Sequence, residues 1–180
     1  MGLELRRPDV DYQENPAPSH VSMARVQEYA SDLSRRLEVA ALDRLDGLVS
    51  SLGGRLHFCG WDWSAPSGTI YVHKPGDFDI VVGDPAASAR ERFTIAHELG
   101  HYFVHSSMGK KPIIAPRASV GGGGRLEWEA NWFAAGFLMP PDEFKRAFAE
   151  CRRDLETVAA KFFVSTKAAE VRAQVLGLRK

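Results

Sequence analysis

The sequence predicts an α+β fold, in which a small antiparallel sheet of about three strands packs against a set of helices. Three observations lead to this prediction. The 180 residues suffice for one domain with a sizeable core, apolar residues recur at helical spacing along much of the chain, and short strand-like runs separated by turn residues occupy the middle. Residues 1–18 are polar and interrupted by prolines, so we expect a flexible tail there and a single domain over residues 19–180.

The first half of the predicted domain contains a helical region followed by the strands. Between residues 21 and 52, apolar side chains recur every three or four positions. This spacing predicts either one long helix or two helices with a break near residues 38–42. Gly53 ends the region. The predicted strands are residues 55–59, 69–73 and 78–82, and the last two form a hairpin.

The second half is predicted to be helical except for one long connection. Ser88 and Glu91 have the spacing of a capping box and begin a helix that extends to about His105. Residues 106–124 show no periodicity and end in four glycines, which is typical of a lid, a binding loop or disorder. Four further helices are expected at residues 126–139, 141–151, 154–163 and 166–176. The last two, within residues 153–180, resemble a helix-turn-helix.

Composition excludes several classes of protein. The chain has 23 Lys and Arg against 23 Asp and Glu, so we expect no direct binding of nucleic acid, which usually requires a basic excess. No apolar run approaches the roughly 18 residues of a membrane span, so no membrane association is expected. The first twenty residues lack the apolar core of a secretory signal. Cys59 and Cys151 are far apart in sequence, which favours reduced thiols in a cytoplasmic protein.

The motif with the clearest chemical meaning is HELGH at residues 97–101, which has the form HExxH. On a helix, His97 and His101 differ by about 40° of rotation and one turn of rise, so both imidazoles can converge on one metal ion. Glu98 then lies in the neighbouring sector of the same face. Because the other sides of this helix are apolar, we expect the helix to be buried, and buried polar side chains need partners.

A zinc site needs a third protein ligand, for which the sequence offers three candidates. His105 continues the series, but on a straight helix it would lie about 12 Å along the axis from His97. That distance favours a place at the helix end or behind a metal ligand. Glu127 and Glu129 on the next helix point to nearly opposite faces, so only one of them can face the metal. Asn131 shares a face with Glu127 and can support a metal-bound histidine.

These residues lie in longer segments that resemble the ImmA/IrrE family of metallopeptidases. The segments are RFTIAHELGH at residues 92–101, ExxANxFAA from Glu127, and LMP at residues 138–140. The pattern VAxxFxVSxxA from Val158, followed by Arg172 and by LGL at residues 176–178, is similar to the C-terminal helices of that family. The resemblance extends over roughly residues 40–178.

The resemblance implies a metal-dependent endopeptidase with a gluzincin-like site. The family's metal carboxylate stands four residues before the asparagine, so His97, His101 and Glu127 would be the metal ligands and Glu129 a surface charge. The metal would be Zn²⁺, although Mn²⁺ suits the same ligand set. It would activate a water molecule, whose proton Glu98 would take and later return to the leaving amine.

The resemblance also implies a protein substrate, namely a helix-turn-helix transcriptional repressor that is cleaved at a specific site to switch on a stress response or a mobile element. Two alternatives are open. In the first alternative to an endopeptidase, the chain is a metal-dependent protein that binds a repressor without cleaving it. In the second, it is a DNA-binding regulator built on the C-terminal helices. The DNA-binding alternative depends on few basic residues, which are Lys167, Arg172, Arg179 and Lys180.

Two further features of the site have more than one interpretation. Residues 78–82 either offer a free sheet edge that binds an extended substrate by strand addition, or form an ordinary core strand. The residues concerned are Phe78, Asp79, Ile80, Val81 and Val82. The group that stabilises the oxyanion has three candidates, which are His73, Tyr102 and His105.

Overall fold

A computed structural model describes residues 5–14, 16–58, 67–83, 88–116 and 124–179 of the chain. This part of the chain forms seven α-helices and one five-stranded sheet. The helices are α1 (Met23–Arg36), α2 (Leu45–Ser51), α3 (Ala89–Gly100), α4 (Arg125–Leu138), α5 (Pro141–Glu150), α6 (Leu155–Phe162) and α7 (Thr166–Val175). The strands are β1 (Gln13–Glu14), β2 (Gly54–Phe58), β3 (Thr69–Lys74), β4 (Asp77–Val82) and β5 (Ile113–Pro116).

The sheet is mixed and has the strand order β1-β5-β3-β4-β2. β3 is antiparallel to both β4 and β5, whereas β1 is parallel to β5 and β2 is parallel to β4. The α+β class is therefore confirmed, but the prediction of about three antiparallel strands is wrong. β1 and β5 have only two and four residues, too few to show the alternation that marks a strand. β5 lies within residues 106–124, for which no regular structure was predicted; residues 117–123 are outside the described part of the chain.

β4 lies in the interior of the sheet. Phe78 pairs with Val72 on β3 and with Gly54 on β2, and the pairing on both sides continues to Val81. Because both edges of β4 are occupied, this strand offers no free edge for an extended substrate. Substrate binding by strand addition is therefore wrong for residues 78–82, and the interpretation as a core strand is correct. All five residues are buried, namely Phe78, Asp79, Ile80, Val81 and Val82.

Alternate residues of β4 face opposite sides of the sheet, as the period of a strand requires. Phe78, Ile80 and Val82 belong to the main hydrophobic core, which the sheet shares with the helices. Asp79 and Val81 face the other side. The α3 helix, which carries the HExxH motif, therefore packs on the apolar side of the sheet together with the remaining helices.

The N-terminal segment covers the side of the sheet opposite the helices. Leu5 packs with Val81, and the Tyr12 hydroxyl donates a hydrogen bond to Nδ1 of His73. Leu5 and Tyr12 are both buried, and β1 adds two residues to the edge of the sheet. The prediction of a flexible tail is therefore wrong for residues 5–14, because these apolar side chains are too widely spaced in sequence to form a recognisable pattern.

A buried carboxylate organises the same side of the sheet. Asp79 accepts hydrogen bonds from Nε2 of His57 at 2.7 Å, from Nε2 of His73 at 2.6 Å and from Nε of Arg55 at 2.7 Å. Burial alone would raise the pKa of Asp79, but these bonds outweigh it and lower the pKa to about 2. This cluster was not predicted from the sequence. A signal for it exists, because Arg55 and His57 are two positions apart on β2 and therefore face the same side of the sheet as Asp79 on the neighbouring strand β4.

The helices agree with the predicted ones to within a few residues. The region between residues 21 and 52 forms two helices, and the break includes Glu38, whose φ of 53° is left-handed. Gly53 ends the second helix with a φ of 82°, and a Cβ at that position would lie 2.1 Å from the carbonyl oxygen of Gly76. Within the described part of the chain, no helix combines the length and the apolar character that crossing a membrane requires.

Candidate metal centre

The candidate metal centre lies where α3 packs against α4. α3 begins at Ser88, whose hydroxyl accepts a hydrogen bond from the backbone N–H of Glu91 at 3.1 Å, as predicted for a helix start. Its last turn carries His97 and Glu98 of the HExxH motif, and His101 follows directly after Gly100. Gly100 permits a close approach of the two helices, since a Cβ there would lie 3.1 Å from the Cα of Ala130. The histidines of α3 therefore meet the first turn of α4, which contains Glu127.

Two imidazoles and one carboxylate converge at this contact. Nε2 of His97 lies 3.3 Å from Nε2 of His101. The carboxylate of Glu127 lies 3.2 Å from the His97 nitrogen and 3.5 Å from the His101 nitrogen. The side chains of His97 and Glu127 are 11% and 12% exposed, and that of His101 is 2% exposed. Among the described residues, these three form the group of possible metal ligands whose atoms lie close together.

The spacing of the two imidazoles and the carboxylate is close to that of ligands around a tetrahedral divalent metal. Zinc binds imidazole nitrogen and carboxylate oxygen at about 2.0–2.2 Å, and at tetrahedral angles such bonds place neighbouring donor atoms about 3.3–3.6 Å apart. The two imidazole nitrogens lie 3.3 Å apart, and the Glu127 carboxylate lies 3.2 Å from His97 through Oε2 and 3.5 Å from His101 through Oε1. Three protein ligands leave a fourth position for water or substrate, which is typical of a catalytic zinc site. Manganese accepts the same ligand types.

The electrostatics of the three groups favour a bound cation. Burial alone would raise the pKa of the Glu127 carboxyl, but hydrogen bonds with His101 and His97 hold it well below its ordinary value. Burial lowers the pKa of His101 to about 4, so this imidazole is neutral at pH 7. Burial would also lower the pKa of His97, but Glu127 and Glu98 outweigh it and raise the pKa. A metal at this site therefore competes with a proton for His97.

The second nitrogen of each histidine is hydrogen-bonded in a way that fixes the ring. Nδ1 of His97 lies 3.0 Å from Oδ1 of Asn131. An amide oxygen only accepts, so Nδ1 carries the proton and Nε2 presents its lone pair to the site. Asn131 thus lies where the sequence analysis expects a residue that supports a metal-bound histidine.

His101 is oriented by a chain of two further residues. Nε2 of His105 lies 3.1 Å from a carboxylate oxygen of Glu129 and must donate to it, because an ionised carboxylate only accepts. In neutral His105, Nδ1 then accepts from Nδ1 of His101 at 2.9 Å. The proton of His101 is thereby placed on Nδ1, and its Nε2 lone pair faces the site. Glu129, His105 and His101 therefore select the tautomer that binds a metal.

The positions of His105 and Glu129 resolve two alternatives of the sequence analysis. The segment His101–His105 is π-helical and continues α3, which brings the ring of His105 behind that of His101 rather than to the metal ligands. The expectation that Glu129 is a surface charge is wrong, because its side chain is fully buried. Ser19 and His20 also donate backbone N–H groups to Glu129, so the face of α4 opposite Glu127 is covered as well.

Glu98 lies directly beside the candidate ligands. It is 1% exposed on the last turn of α3, and its charge contributes to the raised pKa of His97. A buried carboxylate next to a metal site has the position and the chemistry of a general base.

Each of the three candidates for oxyanion stabilisation has a hydrogen-bond partner within the fold. His73 lies on the far side of the sheet, bonded to Asp79. The Tyr102 hydroxyl accepts a hydrogen bond from the backbone N–H of Gly76 at 3.1 Å, and both ring nitrogens of His105 are used by His101 and Glu129.

The C-terminal helices show few basic groups available to DNA. Arg172 is 1% exposed and donates hydrogen bonds to the carbonyl oxygen of Met139 and to Oε1 of Gln27. Lys167 forms an ion pair of 2.9 Å with Glu170. Of the four basic residues on which a DNA-binding alternative depends, Arg172 is therefore buried and Lys167 is exposed but paired with a neighbouring carboxylate.

Comparison with known proteins agrees with the geometry of the site. No curated protein matches the chain. A family model described as the IrrE N-terminal-like domain, peptidase family M78, matches residues 68–174, which is more than half of the 180 residues. The matched segment contains the HExxH motif, Glu127 and Asn131. The chain therefore belongs to the M78 peptidases, the family whose domain is named after IrrE, and a peptidase acts on a protein substrate.

Proposed function

We propose that the chain is a metal-dependent endopeptidase in which His97, His101 and Glu127 hold one divalent cation, zinc or manganese, and Glu98 transfers protons. The observation that carries the proposal is the convergence of two imidazole nitrogens and one carboxylate within 3.2–3.5 Å of one another. Membership of a peptidase family supports the same chemistry.

A divalent metal bound there supplies Lewis-acid chemistry, acidifying a water molecule and polarising the scissile carbonyl. The protein's own residues perform the remaining tasks. The carboxylate of Glu98 takes the proton of the attacking water and delivers it to the nitrogen of the leaving amine. Asn131 and His105 hold the imidazole rings of His97 and His101, so the donor atoms keep their positions during the reaction.

For the substrate we propose a helix-turn-helix transcriptional repressor, cleaved at one site to switch on a stress response or a mobile element. This substrate class comes from the resemblance of the sequence to the ImmA/IrrE family. The buried Arg172 and the paired Lys167 support a protein substrate over direct binding of DNA.

The test is an incubation of the metal-loaded protein with purified helix-turn-helix repressors from the same genome, with the fragments identified by mass spectrometry. Wild type is expected to produce two fragments from a single scissile bond. Glu98→Gln is expected to slow cleavage by about 10²–10⁴-fold, because general acid–base catalysis contributes that factor, while the variant keeps its metal. If Glu98→Gln still inactivates the repressor without cleaving it, that result would instead support a non-catalytic binding protein.

A further inference from the structure

An apolar groove of about 620 Å³ lies between α3, α4 and α7. Its apolar lining includes Phe93, Trp128, Trp132, Ala135, Val171 and Val175. Trp128, Val171 and Val175 are 54%, 46% and 41% exposed. Clustered large apolar side chains that remain exposed mark a surface that binds another molecule.

The groove adjoins the candidate metal centre through residues that lie next to the candidate ligands. On α3, Thr94 lines the groove and lies one turn before His97. On α4, Asn131 both lines the groove and accepts the hydrogen bond from His97, and Trp128 follows Glu127 directly. A chain that leaves the groove at this end therefore starts within about one helical turn of the candidate ligands.

The charged residues that line the groove are all cationic, among the residues described. They are Arg90, Lys167 and Arg172. Lys167 is paired with Glu170, but the two hydrogen-bond acceptors of Arg172, from Met139 and Gln27, are neutral, and its Nη2 has no partner among the described residues. Burial lowers the pKa of Arg172 to about 10, so the guanidinium is still charged at pH 7. A buried cation without a carboxylate is costly, and an acidic ligand would offset that cost.

The walls of the groove also indicate the shape of the ligand. They consist of helix side chains, and β4 has no free edge to pair with an extended peptide. An extended segment would lose water from its backbone N–H and C=O groups without replacement. An α-helix satisfies these groups internally and presents only its side chains, as in other complexes of a helix with an apolar groove.

We propose that this groove docks the apolar face of an α-helix of the protein substrate, with acidic side chains of that helix placed near Arg90 and Arg172, and that the chain next to the docked helix enters the metal centre. The proposal rests on the proposed function, since it identifies how that function selects its substrate.

The test measures binding alone, so that it does not depend on cleavage. The protein is the full chain carrying Glu98→Gln. The probes are two fluorescein-labelled amphipathic peptides of about 18 residues, long enough to form a helix, with the same leucine face and either glutamates or lysines on the flanks. Fluorescence anisotropy is expected to show at least tenfold tighter binding of the glutamate peptide, which corresponds to about 1.4 kcal/mol. This difference should persist when a chelator removes the metal.

A charge placed in the groove provides the matched comparison. Val171→Glu, at an exposed position of α7, is expected to weaken binding of the glutamate peptide at least tenfold, whereas Leu42→Glu, 67% exposed and outside the groove, should leave it unchanged. Equal binding of both peptides, or equal binding by both variants, overturns the proposal. A wild-type dimer that Val171→Glu dissociates in sedimentation also overturns it, because the groove would then serve a second copy of the chain.

The docking proposal and the proposed function fail in different ways. If the glutamate peptide binds as expected but wild type cleaves no repressor, the proposed function is wrong and the groove is still a helix-binding site. If wild type cleaves the repressor but Val171→Glu binds and cleaves equally well, the docking proposal alone is wrong.

Discussion

Which nitrogen carries the proton on each histidine decides whether the three donor atoms can bind a metal. His97 and His101 both need their Nε2 lone pairs directed at the site, and each achieves this through the hydrogen bond at Nδ1. For His97 the partner is an amide on α4, whereas for His101 the arrangement depends on His105 and finally on Glu129. The charge of Glu129 therefore affects the metal centre without contacting it.

Replacing this distant carboxylate is expected to weaken metal binding. Glu129→Gln removes the negative charge to which His105 donates, so the tautomer of His101 is no longer imposed. We expect the affinity for zinc to fall by about 10–100-fold, the usual effect of losing such a supporting group. Competition with a chelator at constant pH measures the change. Glu143→Gln, an exposed position on α5, is the control, and equal affinities of the two variants would show that Glu129 only stabilises the fold.

Sequence patterns predict the candidate metal ligands and the supporting Asn131, but not the contribution of Glu129. His97, Glu98 and His101 belong to one helical motif, so local spacing is sufficient to predict them. Glu129 was misplaced on the surface because its burial depends on Ser19 and His20, which are more than one hundred residues away in sequence. Spacing along one helix carries no information about such neighbours.

At the scale of elements, the centre depends on how closely α3 and α4 approach. Gly100 lies against Ala130 and Phe133, and a Cβ at Gly100 would lie 3.1–3.2 Å from atoms of both. A glycine inside this helix therefore permits close packing against α4. The two helices that supply the candidate ligands therefore pack closely against each other at Gly100.

A methyl group at this contact is expected to destabilise the protein. Gly100→Ala should lower the free energy of unfolding by about 1–2 kcal/mol, because overpacking outweighs the gain in helix propensity. Gly47→Ala, an exposed position on α2 with nothing within 4 Å of an added Cβ, should raise it by about 0.5–1 kcal/mol. Urea denaturation measures both changes. A similar increase in the free energy of unfolding in both variants would mean that the contact between α3 and α4 is not tight.

The contribution of Asp79 to the stability of the fold depends on pH. The pKa of Asp79 is about 2 in the folded protein, below its ordinary value of 3.8. A carboxyl group whose pKa is lowered by folding stabilises the folded state at pH values above its ordinary pKa. This stabilisation is lost as the pH falls from 3.8 to about 2.

Removing this carboxylate should therefore remove both the stabilisation and its pH dependence. Asp79→Asn is expected to lower the free energy of unfolding at pH 7 by about 2 kcal/mol and to flatten its decline between roughly pH 4 and pH 2. Asp9→Asn, at an exposed position, should change neither. Urea denaturation across this pH range provides the measurement, and an unchanged acid limb in Asp79→Asn would contradict the assignment.

At the scale of the whole molecule, the sequence predicts the fold class and all of the helices, but not the extent of the sheet. The helices are long enough to show their periodicity and have clear end signals, such as Ser88 and Gly53. β1 and β5 are short, and they are strands only because the sheet offers them an edge. The same long-range pairing places β4 in the interior, so this strand has no free edge for a substrate.

The central claim is that His97, His101 and Glu127 hold one metal ion. Elemental analysis of protein purified without chelators tests it most directly, with wild type beside Glu127→Ala and with Glu143→Ala as the exposed control. About one zinc or manganese per chain is expected in wild type and in the control, and little or none in Glu127→Ala, while circular dichroism shows all three folded. Full retention of the metal by Glu127→Ala, or no metal in wild type even after zinc is added back, would contradict it.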